Sequence, residues 1–186
     1  RGPDDSGIFV DGALGFSHRR LSIVDLSQSG HQPMFNASES LGIIYNGECY
    51  NHIELRKDLE ARGCVFRSHS DTEVVLYGFQ EYGPDFIRRM VGMFAFAIWD
   101  RKKRELHLFR DRLGIKPLYY SYHQARFLFA SEIKPLLEAG VKPELEGSAV
   151  SAFFSLRYNP DETTLFRGIK RLAPGTWMTL TEDGSS

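Results

Sequence analysis

A nearly continuous apolar run at residues 93–99, Met-Phe-Ala-Phe-Ala-Ile-Trp, constrains the fold more than any other feature of this chain. Such a run is typical of a β-strand buried on both faces, because a half-solvated strand alternates apolar and polar side chains. A basic tip at residues 101–104 separates it from a second strand-like segment at residues 105–109, and the pair predicts a hairpin. The run therefore predicts a sheet covered on both sides.

Two helices are predicted between the strand-like segments. Residues 51–54 (Asn-His-Ile-Glu) and 70–73 (Ser-Asp-Thr-Glu) each combine a capping residue with a Glu three positions later, the pattern that starts a helix. Hairpins are predicted on either side, the first from strands at residues 7–11 and 13–25 that flank Asp11-Gly12. Helices in the middle of a chain with hairpins on both sides favour an α+β class with antiparallel sheets, packed as a layered sandwich.

Composition and charge exclude several classes of protein. The chain has 186 residues and a formal net charge of −1, and its one basic run at residues 101–104 is interpreted as a solvated hairpin tip, so nucleic-acid binding is not expected. No apolar run approaches the ~20 residues of a membrane span. The six histidines show no metal-ligand spacing. Two cysteines do not make a disulfide framework, which predicts a reducing, cytoplasmic location.

The two ends of the printed chain are typical of a piece of a longer protein. It opens at Arg1 with no initiator Met, and it closes in turn-type residues. We therefore expect one domain over residues 1–180, followed at residues 181–186 by the start of a linker to a further domain.

A second feature, the polar segment at residues 45–51 (Tyr-Asn-Gly-Glu-Cys-Tyr-Asn), predicts a binding pocket. Asn46-Gly47 follows a short apolar strand and is expected to form a turn at its end that could hold an oxyanion. Arg20 offers a guanidinium that can grip a carboxylate with two donors. Asp71 is expected in the first turn of a helix, where backbone N–H groups favour its ionised form and suit it to bind an ammonium.

Each of these residues also has a structural interpretation when taken alone. Arg20 could be a surface ion-pair partner, Asn46-Gly47 a hairpin turn and Asp71 an N-terminal helix charge. Together they are the groups needed to grip a free amino acid by both ends while its side-chain amide is attacked.

The chain resembles the glutaminase domain of glutamine-hydrolysing asparagine synthetases, which are class II glutamine amidotransferases. The resemblance runs in order over nearly the whole chain, through the segments at residues 1–4, 20–23, 31–33, 46–48, 70–74, 92–97, 110–120, 130–134 and 172–175. It implies the four-layer αββα sandwich of the N-terminal nucleophile hydrolases.

The resemblance also implies a role for each pocket residue. Arg20 would hold the α-carboxylate of L-glutamine, and Asp71 its α-ammonium. Asn46, through its side-chain amide, and Gly47, through its backbone N–H, would form the oxyanion hole.

Three further residues would line that pocket. They are Glu48 and the backbone around Ile23 and Val24. No metal site is implied in this domain.

The nucleophile of the resembled family is a cysteine at the mature N-terminus, whose own α-amine acts as the base. The printed chain opens beyond the position of that cysteine and of the first strand, so we expect it to be inactive as printed and only marginally stable. Cys49 is interpreted as a core cysteine and not as a substitute nucleophile, because burial would raise its pKa and strand alternation is expected to turn it away from the side of Gly47.

The resemblance implies an enzyme that releases ammonia from glutamine for the ATP-dependent amidation of aspartate. The ATP and Mg²⁺ would belong to a C-terminal synthetase domain of the same chain, and a homodimer is one open possibility for assembly. Two alternatives stay open: a glutamine-binding or regulatory domain without the nucleophile, and an amidotransferase for another acceptor.

Overall fold

The computed structural model describes residues 2–182. Arg1 and most of the predicted linker at residues 181–186 lie outside the described residues. The strands are β1 (Asp5–Asp11), β2 (Leu14–Arg20), β3 (Met34–Phe35), β4 (Leu41–Cys49), β5 (Gly92–Asp100), β6 (Glu105–Arg110), β7 (Tyr119–His123), β8 (Arg126–Ala130), β9 (Lys170–Arg171) and β10 (Trp177–Thr181). The helices are α1 (His52–Ala61), α2 (Asp71–Tyr82), α3 (Ile133–Glu138) and α4 (Gly147–Leu156), with 3-10 helices at Gln28–Gly30 and Gly83–Arg89.

Two compact units divide the chain at Arg110 and Thr176. The first unit carries a five-stranded sheet in the order β10-β6-β5-β4-β3. In this sheet β4 is antiparallel to both β3 and β5, and β10 is antiparallel to β6. Strand β5 is buried from Phe94 to Asp100, which confirms the strand predicted from the apolar run at residues 93–99. The mixture of helices and antiparallel pairs confirms the α+β class.

Helices α1 and α2 share one hydrophobic core with a face of β4. Alternate side chains of β4 point into this core because successive residues of a strand face opposite sides of the sheet. The buried members contributed by β4 and the two helices are Leu41, Ile43, Tyr45, Cys49, Leu55, Leu59, Val74, Val75, Leu76, Tyr77 and Phe79. This packing fixes the N-terminus of α2 beside β4.

Strands β1 and β2 form a two-stranded antiparallel hairpin. It is joined to the rest of the first unit by side chains: the Asp11 carboxylate accepts a hydrogen bond from Trp99 Nε1 at 2.9 Å, and Phe9 packs edge-on against Phe35. The strand predicted over residues 13–25 is too long, because β2 ends at Arg20 and residues 21–27 form a loop.

The second unit contains the three-stranded sheet β8-β7-β9 with α3 and α4. Its small core centres on Leu136, Val141 and Ile169. The guanidinium of Arg110 is buried and donates to the carbonyl oxygens of Lys116, Leu172 and Gly114. These hydrogen bonds give Arg110 a structural role in the second unit.

The two capping predictions are only partly correct. Ser70 caps α2 by accepting from Thr72 N at 3.2 Å, but the Glu73 carboxylate reaches past Ser70 to Ser68 N at 2.7 Å. Asn51 precedes α1 without a side-chain cap, because its amide is engaged with the backbone of Arg89 and Val91 instead. None of the helices among residues 2–182 is long and apolar enough to cross a membrane.

Candidate functional site

Asn46-Gly47 lies inside a strand, so the predicted turn is wrong. Strand β4 continues to Cys49, with Asn46 opposite Ala95 and Gly47 opposite Phe94 on β5. Pairing with β5 over the whole length of β4 overrides the local turn preference of Asn-Gly. The consequence is that the two residues are held in extended backbone next to a central strand.

The N–H of Gly47 points to the edge of β4 that faces away from β5. Two neighbours show this: Tyr45 N donates to Gln32 Oε1 at 2.6 Å, and Cys49 N donates to Asp71 Oδ2 at 2.8 Å. Neither acceptor belongs to β5, and alternate residues of an antiparallel strand direct their N–H groups to the same edge. The N–H of Gly47 therefore lies between two occupied donors on an edge that β3 covers only as far as Ile43.

Gly47 is required by the close approach of β4 and β5. A Cβ atom at this position would lie 2.3 Å from the carbonyl oxygen of Met93 and 2.6 Å from Cα of Phe94. No side chain fits in that space without moving backbone. The donor at Gly47 is thus held by direct contact with the neighbouring strand.

Asp71 is the first residue of α2, and 4% of its surface is exposed. Burial raises the pKa of its carboxyl above the usual value of 3.8, and the hydrogen bond from Cys49 N and the charge of His52 oppose that rise. The raised pKa differs from the expectation that the helix start would favour the ionised form: desolvation outweighs the backbone donors here. A buried carboxyl with a raised pKa gains most when a cation such as an ammonium binds beside it.

Arg20 ends β2 with its side chain buried. Its guanidinium donates to the carbonyl oxygen of Ser27 at 2.9 Å and to that of Asp25. Gly30 lies against the guanidinium, since a Cβ there would be 2.0 Å from Nη2. A guanidinium has five donors, so this anchoring leaves others for a carboxylate.

His18 lies close enough to Arg20 for the two groups to interact electrostatically. Burial and the charge of Arg20 lower the pKa of His18 to about 4, so His18 is neutral at neutral pH. His18 therefore adds no positive charge beside Arg20 at neutral pH.

The other predicted site residues are placed as follows. Asn46 and Glu48 are half-buried on the face of β4 opposite Tyr45 and Cys49, as strand alternation requires. Ile23 and Val24 lie in the loop after β2, where the side chain of Ile23 is 64% exposed. The roles predicted for these four residues stay predictions.

Cys49 is a core residue, as predicted, although one stated reason was wrong. Alternation places Cys49 and Gly47 on the same face of β4, not on opposite faces. The thiol is fully buried, and burial together with the charge of Asp71 raises its pKa to about 12. A thiol in that state is a poor nucleophile at neutral pH.

A cavity of about 260 Å³ lies elsewhere, toward the C-terminal end of α2. Its lining includes Cys64, Tyr77 and Glu81 and none of the predicted site residues. Within residues 2–182, no group of three or more His, Cys, Asp or Glu side chains is arranged to hold a metal ion. The candidate site is therefore the edge of β4 and the groups around it.

Two buried polar residues of this region, Asp25 and Gln32, were not predicted as functional. Gln32 joins β4 to α2, because its Oε1 accepts from Tyr45 N and its Nε2 donates to Thr72 Oγ1 at 3.4 Å. The sequence gives one signal for Gln32, a polar residue before Pro33 in a loop, and it does not identify the partners.

Comparison with known proteins gives consistent matches. A family model described as "Glutamine amidotransferase domain" matches residues 1–186. Asparagine synthetase [glutamine-hydrolyzing] 1 of Bacillus subtilis (strain 168) is 42% identical over 184 residues, which is 99% of this chain and 29% of that protein. Asparagine synthetase [glutamine-hydrolyzing] 3 of the same organism is 42% identical over 190 residues, 99% of this chain and 30% of that protein. The chain thus spans less than a third of these relatives.

Solved structures show the fold. The glutamine phosphoribosylpyrophosphate amidotransferase of B. subtilis superposes with a TM-score of 0.62 at 21% identity, over 91% of this chain and 33% of that one. This likeness confirms the predicted fold, which the chain shares with that amidotransferase.

Proposed function

Since this chain belongs to the glutamine amidotransferase domain family, we propose that it forms the glutamine site of a longer protein, which binds L-glutamine at the edge of β4 and hydrolyses its side-chain amide to glutamate and ammonia. Arg20 binds the α-carboxylate, Asp71 the α-ammonium, and Asn46 with Gly47 the oxyanion. Glu48 and the backbone at Ile23 and Val24 line the pocket.

One observation carries this proposal: the three outward N–H groups of β4 that lie beyond its pairing with β3. The first, at Tyr45, and the third, at Cys49, already have side-chain acceptors, and the middle one at Gly47 is the one left for a ligand. Residues Gly47 and Cys49 are roughly 7 Å apart along a strand. That spacing is comparable to the distance between the amide oxygen and the α-nitrogen of glutamine. The α-ammonium would approach the Asp71 carboxylate near the point where it accepts the hydrogen bond from Cys49 N.

The chemistry follows from these donors. In the proposed reaction a cysteine thiolate, the N-terminal nucleophile that the family resemblance implies, attacks the carboxamide carbon and forms a tetrahedral oxyanion. The backbone N–H of Gly47 and the side-chain amide of Asn46 stabilise that charge, each by roughly 3 kcal/mol. The C–N bond then breaks, and the leaving ammonia takes the proton that the cysteine's own α-amine had accepted from the thiol. Water then releases glutamate from the thioester.

The function of the whole protein is part of the same proposal. We infer a glutamine-hydrolysing asparagine synthetase, in which a C-terminal synthetase domain uses ATP and Mg²⁺ to activate aspartate and receives the ammonia. The support is the identity of 42% to relatives named for that activity. We place the protein in the cytoplasm, in keeping with its two free cysteines. We also propose a homodimer, which a measurement of the molecular mass of the purified protein in solution would test.

The test is Arg20→Ala in the full-length protein, with Arg19→Ala as the matched control. Arg19 is the exposed neighbour on the same strand. Loss of two charge-assisted hydrogen bonds predicts a rise of at least ~100-fold in the KM for glutamine. Asparagine formation from added ammonia should be unchanged in both variants, and Arg19→Ala should keep its glutamine KM.

The outcomes separate the hypotheses. Loss of both activities in Arg20→Ala would make Arg20 structural and refute the pocket. Glutamine binding without hydrolysis in the wild-type protein, together with N-terminal sequencing that finds no cysteine, would support the binding or regulatory domain. Glutamine hydrolysis without amidation of aspartate would support a different acceptor.

A further inference from the structure

We propose that Asp25 is a positioning residue that sets the separation between Arg20 and Asp71. This inference rests on the proposed function, because it assigns a role in holding the two groups that grip the two ends of glutamine. Asp25 lies in the loop after β2, and 8% of its surface is exposed.

Asp25 connects to Arg20 on one side. Its carbonyl oxygen accepts from the guanidinium of Arg20, and its carboxylate Oδ1 accepts from Ser27 N at 2.8 Å. Ser27 in turn offers its carbonyl oxygen to the same guanidinium at 2.9 Å. The Asp25 carboxylate therefore fixes the loop that presents both acceptors to Arg20.

Asp25 connects to the start of α2 on the other side. Its carboxylate Oδ2 accepts from His69 N at 3.0 Å, two residues before Asp71. The same segment is held from within α2 by Glu73, whose carboxylate accepts from Ser68 N and from Ser68 Oγ. Glu73 makes the segment rigid, and Asp25 determines where it lies relative to Arg20.

The chemistry of an amino acid explains why this link matters. The α-carboxylate and the α-ammonium are bonded to one carbon, so the groups that bind them must keep one separation. Arg20 and Asp71 together form what we call the clamp, and a displacement of ~1 Å between its two groups costs about 100-fold in rate. The hydrogen bonds from Ser27 and His69 and the charge of Arg20 lower the pKa of Asp25, so the link is ionised at neutral pH.

The experiment compares Asp25→Asn with Asp100→Asn in the full-length protein. Asp100 is a control for the loss of a buried carboxylate charge: it is also buried, and its Oδ1 accepts from two backbone N–H groups, Lys102 N at 2.9 Å and Lys103 N at 3.0 Å, at the turn between β5 and β6. In Asp25→Asn the new amide group meets one of the two N–H donors, because Ser27 N and His69 N bind different oxygens, so one hydrogen bond is lost. In Asp100→Asn the amide oxygen can keep both donors.

The readout is the ratio of kcat/KM for L-glutamine to that for 4-carbamoylbutanoate, which has the same amide and carboxylate but no α-ammonium. We expect Asp25→Asn to reduce this ratio about 10-fold, mainly through the KM for glutamine, because the two ends no longer fit the clamp together. The ammonia-dependent activity should match that of Asp100→Asn, whose ratio should equal that of the wild-type protein.

Each result decides the inference. An unchanged ratio in Asp25→Asn overturns it and leaves the proposed function intact. A wild-type ratio near one refutes the two-ended clamp itself, and hence the proposed function. If Asp25→Asn and a second variant, Asp25→Ala, both lose ammonia-dependent activity, then Asp25 supports the fold as a whole and the positioning role is refuted.

Discussion

Replacing Gly47 by alanine tests the oxyanion donor and the fold together. The new Cβ would lie 2.3 Å from Met93 O and 2.6 Å from Phe94 Cα, whereas ordinary contacts lie at 3.4–4 Å. Both opposing atoms belong to the backbone of β5, so no rotation of a side chain relieves the contact. Strands β4 and β5 must therefore separate locally by roughly 1 Å, which is the scale at which overpacked cores lose about 1–3 kcal/mol.

The same displacement predicts the catalytic effect. Moving the N–H of Gly47 by ~1 Å should lower kcat for glutamine hydrolysis about 100-fold while the KM changes little, because the oxyanion exists only after attack. The assay is steady-state glutaminase activity of the full-length protein, with ammonia-dependent synthesis as the measure of folded enzyme. For a chain of this size, each kcal/mol should lower the Tm by about 2–4 °C.

Two glycine variants serve as controls for Gly47→Ala. Gly42→Ala on the same strand meets the ring of Phe35 at 2.6 Å, so it should lower the Tm and keep kcat. Gly15→Ala on β2 meets nothing within 4 Å and should change neither. If Gly47→Ala lowers the Tm and leaves kcat within about threefold of wild type, its N–H does not stabilise the oxyanion. An unchanged Tm would refute the close approach of β4 and β5.

Two further predictions concern buried ionisable groups. Burial raises the pKa of Asp71 above its usual value of 3.8. The stability that the Asp71 carboxyl contributes to the fold is therefore greatest at pH below 3.8 and is lost as the pH rises through the raised pKa. Asp71→Asn should therefore raise the Tm at pH 7, with a difference that vanishes near pH 4, and should weaken glutamine binding by at least ~100-fold. A lower Tm at pH 7 would contradict this balance. Cys49→Ala should lower stability by about 1–2 kcal/mol and keep glutamine turnover, because a thiol with a pKa of about 12 does not attack the amide. Selective loss of turnover would make Cys49 a nucleophile.

The elements of the first unit were predictable where one local signal decides the structure. The run at residues 93–99 predicts β5 because the hydrophobic run alone indicates burial on both faces. Ser70 similarly predicts the start of α2. Asn46-Gly47 was mispredicted because its local preference for a turn competes with pairing to β5, whose residues lie far along the chain.

The supporting residues of the site were not predictable for a related reason. Gln32 and Asp25 have their partners at Thr72 and His69, 40 and 44 residues away. Sequence spacing gives no indication of such contacts, since they depend on how a loop without regular structure folds back over α2. Arg20 and Asp71 were predicted from their residue types and from the position of Asp71 at a helix start, and the resemblance to a family gave their roles. The pKa of Asp71 still required the structure, because desolvation depends on burial.

The edge of β4 is also protected against the addition of another strand. An open edge normally invites an extended segment of another chain, and such strand addition leads to aggregation. Here Gln32 and Asp71 occupy the N–H groups on either side of Gly47, so an incoming strand cannot form successive hydrogen bonds. A single carbonyl can still enter, which means that the scissile amide of the proposed substrate would take the place of one residue of a missing strand. In the proposed site, the same two side chains would therefore flank the bound amide and block the addition of a strand.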